Sequence, residues 1–285
     1  MTDFMILLNY PHRSPEIGNS FITEKNRREP NQFMHVVCDM SRNDTICARN
    51  WLKLAIISTL LGFSAQSSAK EQNAFERKRM KMVKEQIAAR GVEDRNVLEA
   101  MEAVKRHELV PERYRKLAYE DHPLPIGKDQ TISQPYIVGL MSQLLEADPG
   151  DKILEIGTGS GYQAAVLAEM GLEVYSIEII ESLAIRTEKD LTRLGYSDVH
   201  VMHGDGYQGW PNEAPFDGII ITAAPPKLPE PLIEQVKEGG RIVVPVGRRL
   251  QSLNVYTKSK NGRVSKERII PVRFVPMTGE AQLQD

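Results

Sequence analysis

The run Leu154-Glu155-Ile156-Gly157-Thr158-Gly159-Ser160-Gly161-Tyr162 constrains the fold of this chain more than any other feature. Lys152 to Ile156 reads as a strand and Tyr162 to Met170 as a helix, so the glycines fall at the turn between them. There they allow tight turning and a close approach of backbone to a ligand. A glycine loop after a strand is weak evidence by itself, because many packed turns are glycine-rich. The spacing narrows the choice: G-x-G-x-G is not the G-x-G-x-x-G of dinucleotide loops, and the lack of G-K-[ST] argues against a phosphate cradle for a nucleoside triphosphate.

Strand and helix patterns alternate around this loop. A helix is predicted from Gln134-Pro135 to Leu145, stopped by Asp148-Pro149-Gly150. Strands are expected at Glu173 to Ile177, Val199 to Met202, Phe216 to Thr222 and Arg241 to Val246, with helices at Ile180 to Leu194 and Pro231 to Glu238. Leu253 to Thr257 and Ile269 to Val275 follow as two strands turning at Asn261-Gly262, the signature of a hairpin. Upstream, Glu71 to Ala100 is helical in composition and punctuated by Gly91; a second helix is expected from Arg95 to Val104, then loop around Pro111, Pro123 and Pro125. The predicted fold class is α/β, Rossmann-like: a doubly wound, mainly parallel sheet with an N-terminal helical cap and a C-terminal β-hairpin.

Residues 1 to about 48 show no sustained period and read as poorly ordered. Arg49 and Lys53 flank the apolar run Leu54 to Phe63, which ends in Ser67-Ser68-Ala69. That is the layout of a signal peptide, too short for a comfortable membrane span, and translation from Met40 would place it at the N-terminus. The alternative is a buried or interfacial helix within an N-terminal extension. Both cysteines, Cys38 and Cys47, lie in this region, so no disulfide framework or thiolate metal site can form beyond it. A formal net charge of -2 with no long block of one sign gives no footprint for nucleic acid.

Two acidic residues accompany the glycine loop. Glu178 ends the strand after it, where such folds use a carboxylate to accept hydrogen bonds from ribose hydroxyls. Asp205, in Gly204-Asp205-Gly206 after the next strand, is placed to reach an adenine amino group. A nucleotide-like cofactor is therefore expected across the carboxyl ends of the strands.

Glu-Ile-Gly-Thr-Gly-Ser-Gly-Tyr followed by Ser-Ile-Glu, Gly-Asp-Gly and Ala-Pro-Phe-Asp resembles the protein-L-isoaspartate O-methyltransferases, which are class I S-adenosylmethionine-dependent enzymes. Gln130-Thr131-Ile132-Ser133-Gln134-Pro135 is similar to that family's T-I-S-x-P segment, and Phe274-Val275-Pro276-Met277-Thr278-Gly279 to its late F-V-P-L-x-G. The likeness runs from about Met80 to Thr278, which implies an extension over 1–70 and a methyltransferase domain over 71–285. It implies S-adenosylmethionine as cofactor, damaged proteins and peptides with L-isoaspartyl residues as partners, and no metal. Ser133 falls on the family's active-site serine, with N-capping of the following helix as its other reading. Cofactor contacts fall on Thr131, Ile132, Gly157, Gly159, Ser160, Gly161, Glu178, Asp205, Gly206 and Thr278. Some members carry a histidine shortly after T-I-S; here Tyr136, Ile137 and Val138 stand there.

The reaction implied is methyl transfer to the α-carboxyl of an L-isoaspartyl residue, giving an ester that collapses to a succinimide. The cofactor implies the cytoplasm, and a cleaved segment 40–69 would imply export. Another class I methyltransferase, a nucleotide-dependent oxidoreductase and an exported, non-catalytic binding protein are the competing readings.

Overall fold

The computed structural model describes residues 70–283. The expected N-terminal extension and its signal-like segment lie outside these residues. Among the described residues no helix is long and apolar enough to cross a membrane.

Helix α1 covers residues 70–82 and continues through a π turn at Val83–Ile87 and a 3-10 turn at Ala88–Arg90. Gly91 stops it at φ 90°, a left-handed conformation that costs glycine nothing. Helix α2 (Arg95–Ala103) starts at Asp94, whose carboxylate accepts a hydrogen bond from the Val97 N–H. The proline-rich stretch beyond it is more ordered than predicted. It holds 3-10 turns at Arg106–Glu108 and Glu112–Leu117, then a two-stranded antiparallel ribbon, β1 (Leu124–Gly127) and β2 (Gln130–Ile132). The ribbon turns through Lys128 and Asp129, both at positive φ, so its turn lacks the Asn-Gly pair that announces such hairpins.

Helix α3 (Pro135–Leu145) leads into β3 (Lys152–Ile156), α4 (Tyr162–Glu169), β4 (Glu173–Glu178), α5 (Glu181–Leu194), β5 (His200–His203), β6 (Phe216–Ile221), α6 (Glu230–Gln235), β7 (Val236–Val246), β8 (Gln251–Lys258) and β9 (Val264–Val272). The sheet order is β5-β4-β3-β6-β7-β8-β9, parallel from β5 to β7 and antiparallel from β7 to β9. The chain therefore reverses direction of winding beside β3, with β4 on one side and β6 on the other, and ligands bind at such switch points.

Several predicted boundaries move. α6 ends at Gln235 rather than Glu238, because Val236 already pairs with Phe216 and Gly239-Gly240 lie inside β7 at a register irregularity. There a Cβ on Gly240 would stand 2.4 Å from the Asp217 carbonyl oxygen, so the backbones meet too closely for any other residue. The last strand runs from Val264 to Val272, and residues 273–278 leave the sheet as a strap.

The sheet separates two apolar cores. One side packs α1 to α5 through residues such as Ile87, Met101, Met141, Leu167 and Leu191. The other, built around Phe216, Ile219, Leu232 and Met277, is covered by the short α6, 3-10 turns and the strap. The strands β3 and β6 read as continuous apolar runs because both their faces are buried.

Candidate active site

The glycine loop after β3 is held by a ring of hydrogen bonds. Gly157 N–H and Thr158 N–H both donate to the Ile177 carbonyl, at 2.8 and 3.3 Å. The Gly159 N–H donates to Glu178 Oε2 at 2.8 Å, while the Thr187 hydroxyl donates to the Gly159 carbonyl at 2.7 Å. Glu178 also accepts from the Ile180 N–H at 2.9 Å. With only 5% of its surface exposed, this side chain braces the loop and is no freely exposed strand-end carboxylate.

The loop's glycines have separate duties. Gly157 (φ 98°) would drive a Cβ to 2.5 Å from Thr222 Oγ1, and Gly161 (φ 79°) to 2.6 Å from Thr187 Cγ2. Gly161 thus lets α4 pack against α5 and does not line the cleft. A Cβ on Gly159 would have no contact shorter than 3.6 Å and would narrow the cleft itself.

The cleft lies at the carboxyl ends of the strands. Thr131, Gly157, Gly159, Glu178, Gly206 and Thr278 all line it, joined by the apolar Ile156, Ile177, Ile179, Ile180 and Met277. Ile132 and Ser160 line a smaller cavity of about 30 Å³ behind the loop, together with Ser133 and Glu155. Asp205 is turned away from the cleft wall. Its carboxylate accepts from Tyr207 N–H at 3.0 Å and from Glu280 N–H at 2.7 Å, tying the chain's last turn to the end of β5.

Beside the cleft opens a groove of about 530 Å³. Ser133 lines it, and Thr131, Thr222 and Val275 line both groove and cleft, so the two spaces meet at these three residues. The N-cap of α3 is Gln134 without a side-chain bond, which removes the capping reading of Ser133; among the described residues its hydroxyl has no hydrogen-bond partner.

Comparison with known proteins decides what such a site belongs to. The family model for protein-L-isoaspartate(D-aspartate) O-methyltransferase matches residues 77–282. A protein-L-isoaspartate O-methyltransferase of Gloeobacter violaceus is 57% identical over 201 residues, 70% of this chain and 98% of that protein. One from Opitutus terrae is 50% identical over 80% of this chain and 98% of its own length. The chain belongs to the protein-L-isoaspartate(D-aspartate) O-methyltransferase family. Among solved structures, one described as a protein-L-isoaspartate O-methyltransferase superposes with a TM-score of 0.65 at 30% identity, covering 72% of this chain and 67% of that one. A Plasmodium falciparum structure described as such an enzyme in complex with S-adenosyl-L-homocysteine gives a TM-score of 0.62 at 26% identity, over 70% of this chain and 98% of that one.

Two residues beside the cleft and groove escaped the sequence reading. Thr222 donates from its hydroxyl to the Gly157 carbonyl at 2.6 Å and stands where cleft and groove join. Its place just after β6, at a carboxyl end beside the switch point, was the available signal. Arg106 gave none. It is completely buried, donating from Nε to the Ala118 carbonyl at 2.7 Å and from Nη2 to the Ser133 carbonyl at 2.8 Å, with its guanidinium 4.7 Å from the Tyr162 ring centroid. Burial lowers its pKa to about 10, so it stays a cation at neutral pH and fixes the backbone of Ser133 from below.

Glu155 lies fully buried beneath the loop. Ser176 donates to one of its oxygens, and the other has no partner among the described residues. Burial pushes its pKa from 4.5 up to about 8, with the nearby Glu178 charge adding to the effect, so the carboxyl is largely protonated at pH 7.

Proposed function

We propose that this chain transfers a methyl group from S-adenosylmethionine to the free α-carboxylate of L-isoaspartyl residues in damaged proteins and peptides, which initiates their repair. The observation that carries this reading is the meeting of a glycine-loop cleft with a second groove at Thr131, Thr222 and Val275, with Ser133 on the groove side.

The cleft suits the cofactor's nucleoside. Its apolar walls of Ile156, Ile177, Ile179 and Met277 suit a flat base, and Glu178 is the carboxylate for ribose hydroxyls. Thr131, Gly157, Gly159, Gly206 and Thr278 complete that wall, and Ile132 and Ser160 support it from behind. Gly161 and Asp205 serve indirectly, through packing of α4 and anchoring of Glu280.

S-adenosylmethionine supplies a methyl carbon on a sulfonium, a centre that a carboxylate anion attacks without a general base. The acceptor carboxyl, with a pKa of about 4, is already an anion at neutral pH. What remains for the protein is alignment and exclusion of water, and proximity with orientation contributes roughly 7 to 11 kcal/mol in favourable cases. Ser133 donates its hydroxyl to the carboxylate, and Arg106 keeps the serine's backbone in place.

The methyltransferase domain is assigned to residues 71–285, and the cytoplasm is its compartment, since the cofactor is met there. N-terminal sequencing after fractionation tests this: a chain starting at Lys70 in the envelope fraction would overturn it. The activity itself is tested by titrating the purified chain with S-adenosylmethionine and with NAD. Binding of the first and not the second, with label transferred to an isoaspartyl peptide, is the expected result; NAD binding would return the oxidoreductase reading.

A further inference from the structure

The groove beside Ser133 carries an uneven charge. Two arginines, Arg90 and Arg273, line it, and none of its lining residues is an aspartate or glutamate. Arg90 is already engaged: its guanidinium donates to Asp121 at 2.9 Å and lies 3.5 Å from the Tyr136 ring centroid. Arg273 is different. It is exposed, and among the described residues its side chain has no hydrogen bond, ion pair or ring contact.

Its backbone nevertheless stands on a fixed support. The neighbouring Phe274 is gripped on both main-chain groups by the buried Gln251, whose Oε1 accepts from the Phe274 N–H at 2.6 Å and whose Nε2 donates to the Phe274 carbonyl at 3.2 Å. Val275 and Met277 are bonded in turn to Ala224, each at 2.9 Å. An unpaired cation is thus mounted just after β9, among the residues that line the groove, in a chain whose overall charge is -2.

We infer that the groove selects isoaspartyl sites with an acidic side chain nearby in the peptide, and that Arg273 is the specificity-determining residue. The inference rests on the methyltransferase reading above. An acidic neighbour gains a counter-ion here without desolvating one that the protein already uses. A basic neighbour meets a like charge. Exposed ion pairs are weak, so the expected preference is about two- to fivefold.

The test uses the full chain and three isoaspartyl peptides alike except for glutamate, alanine or lysine within two positions of the damaged residue. The reading is the ratio of kcat/KM between the glutamate and lysine peptides, which cancels any loss of overall activity. The expected ratio is about two to five at low ionic strength, falling towards one as added salt shortens the Debye length. Arg273→Gln should bring the ratio close to one at all salt concentrations, and Arg273→Glu should invert it in favour of lysine. A ratio unchanged in both variants, or a wild-type preference for lysine, overturns the inference while leaving the activity standing. Failure to methylate any of the three peptides overturns the activity and this inference with it.

Discussion

In the proposed site Ser133 stands on the groove side, for the acceptor, and Glu178 in the cleft, for the cofactor, and their surroundings set different expectations for each. Ser133 carries an uncommitted hydroxyl, so Ser133→Ala should leave cofactor affinity and melting temperature close to wild type. Its kcat/KM on an isoaspartyl peptide should fall about tenfold or more, the value of a hydrogen bond to a charged group. Normal turnover in this variant would remove Ser133 from the chemistry. Glu178 has two commitments, because its carboxylate accepts from Gly159 and Ile180 as well as facing the cleft. Glu178→Ala should therefore weaken S-adenosylmethionine binding and lower stability together, each orphaned N–H costing about 1 to 3 kcal/mol. A variant with unchanged cofactor affinity by calorimetry would contradict this.

At the scale of elements, the strands and helices around the glycine loop were legible because apolar runs, glycines and proline turns agreed with one another there. β3 was read to the residue, and α5 ends at Leu194 as read, with Gly195 stopping it in a left-handed conformation. What the sequence hid were long-range contacts: the β1-β2 ribbon turned by Lys128-Asp129, the strap bonded to Ala224, and Arg106 reaching from a 3-10 turn to Ser133. Glu155 shows the same limit, since nothing in its place two residues before Gly157 announces that its side chain is fully buried beneath the loop. Its folded pKa is raised, so between pH 4.5 and 8 the folded state binds more protons than the unfolded, and stability falls as pH rises through that window. Glu155→Gln should flatten this slope and stabilise the apo protein at pH 8 by something on the order of a few kcal/mol. Denaturant unfolding from pH 5 to 8.5 measures it; parallel curves for both proteins would sink the buried-carboxyl account.

For the whole molecule, the seven-stranded order places β4 and β6 on either side of β3, and cleft and groove then arise at one edge of the same layer. The fold class was readable from alternation alone, but the strand order was not, because periodicity carries no information about which strands are neighbours. A chain beginning at Lys70 should fold and methylate as well as the full chain, since the family match starts at residue 77 and the packed core includes Phe75. Loss of cooperative unfolding in that shorter chain would mean that residues 1–69 belong to the domain. The central claim is that this site methylates the α-carboxyl of an L-isoaspartyl residue. Its most direct test presents the enzyme with an isoaspartyl peptide and its normal aspartyl twin in one mixture, with S-adenosylmethionine, and reads each by mass spectrometry. The account predicts a methyl ester on the isoaspartyl peptide alone; equal methylation of both, or of neither, would contradict it.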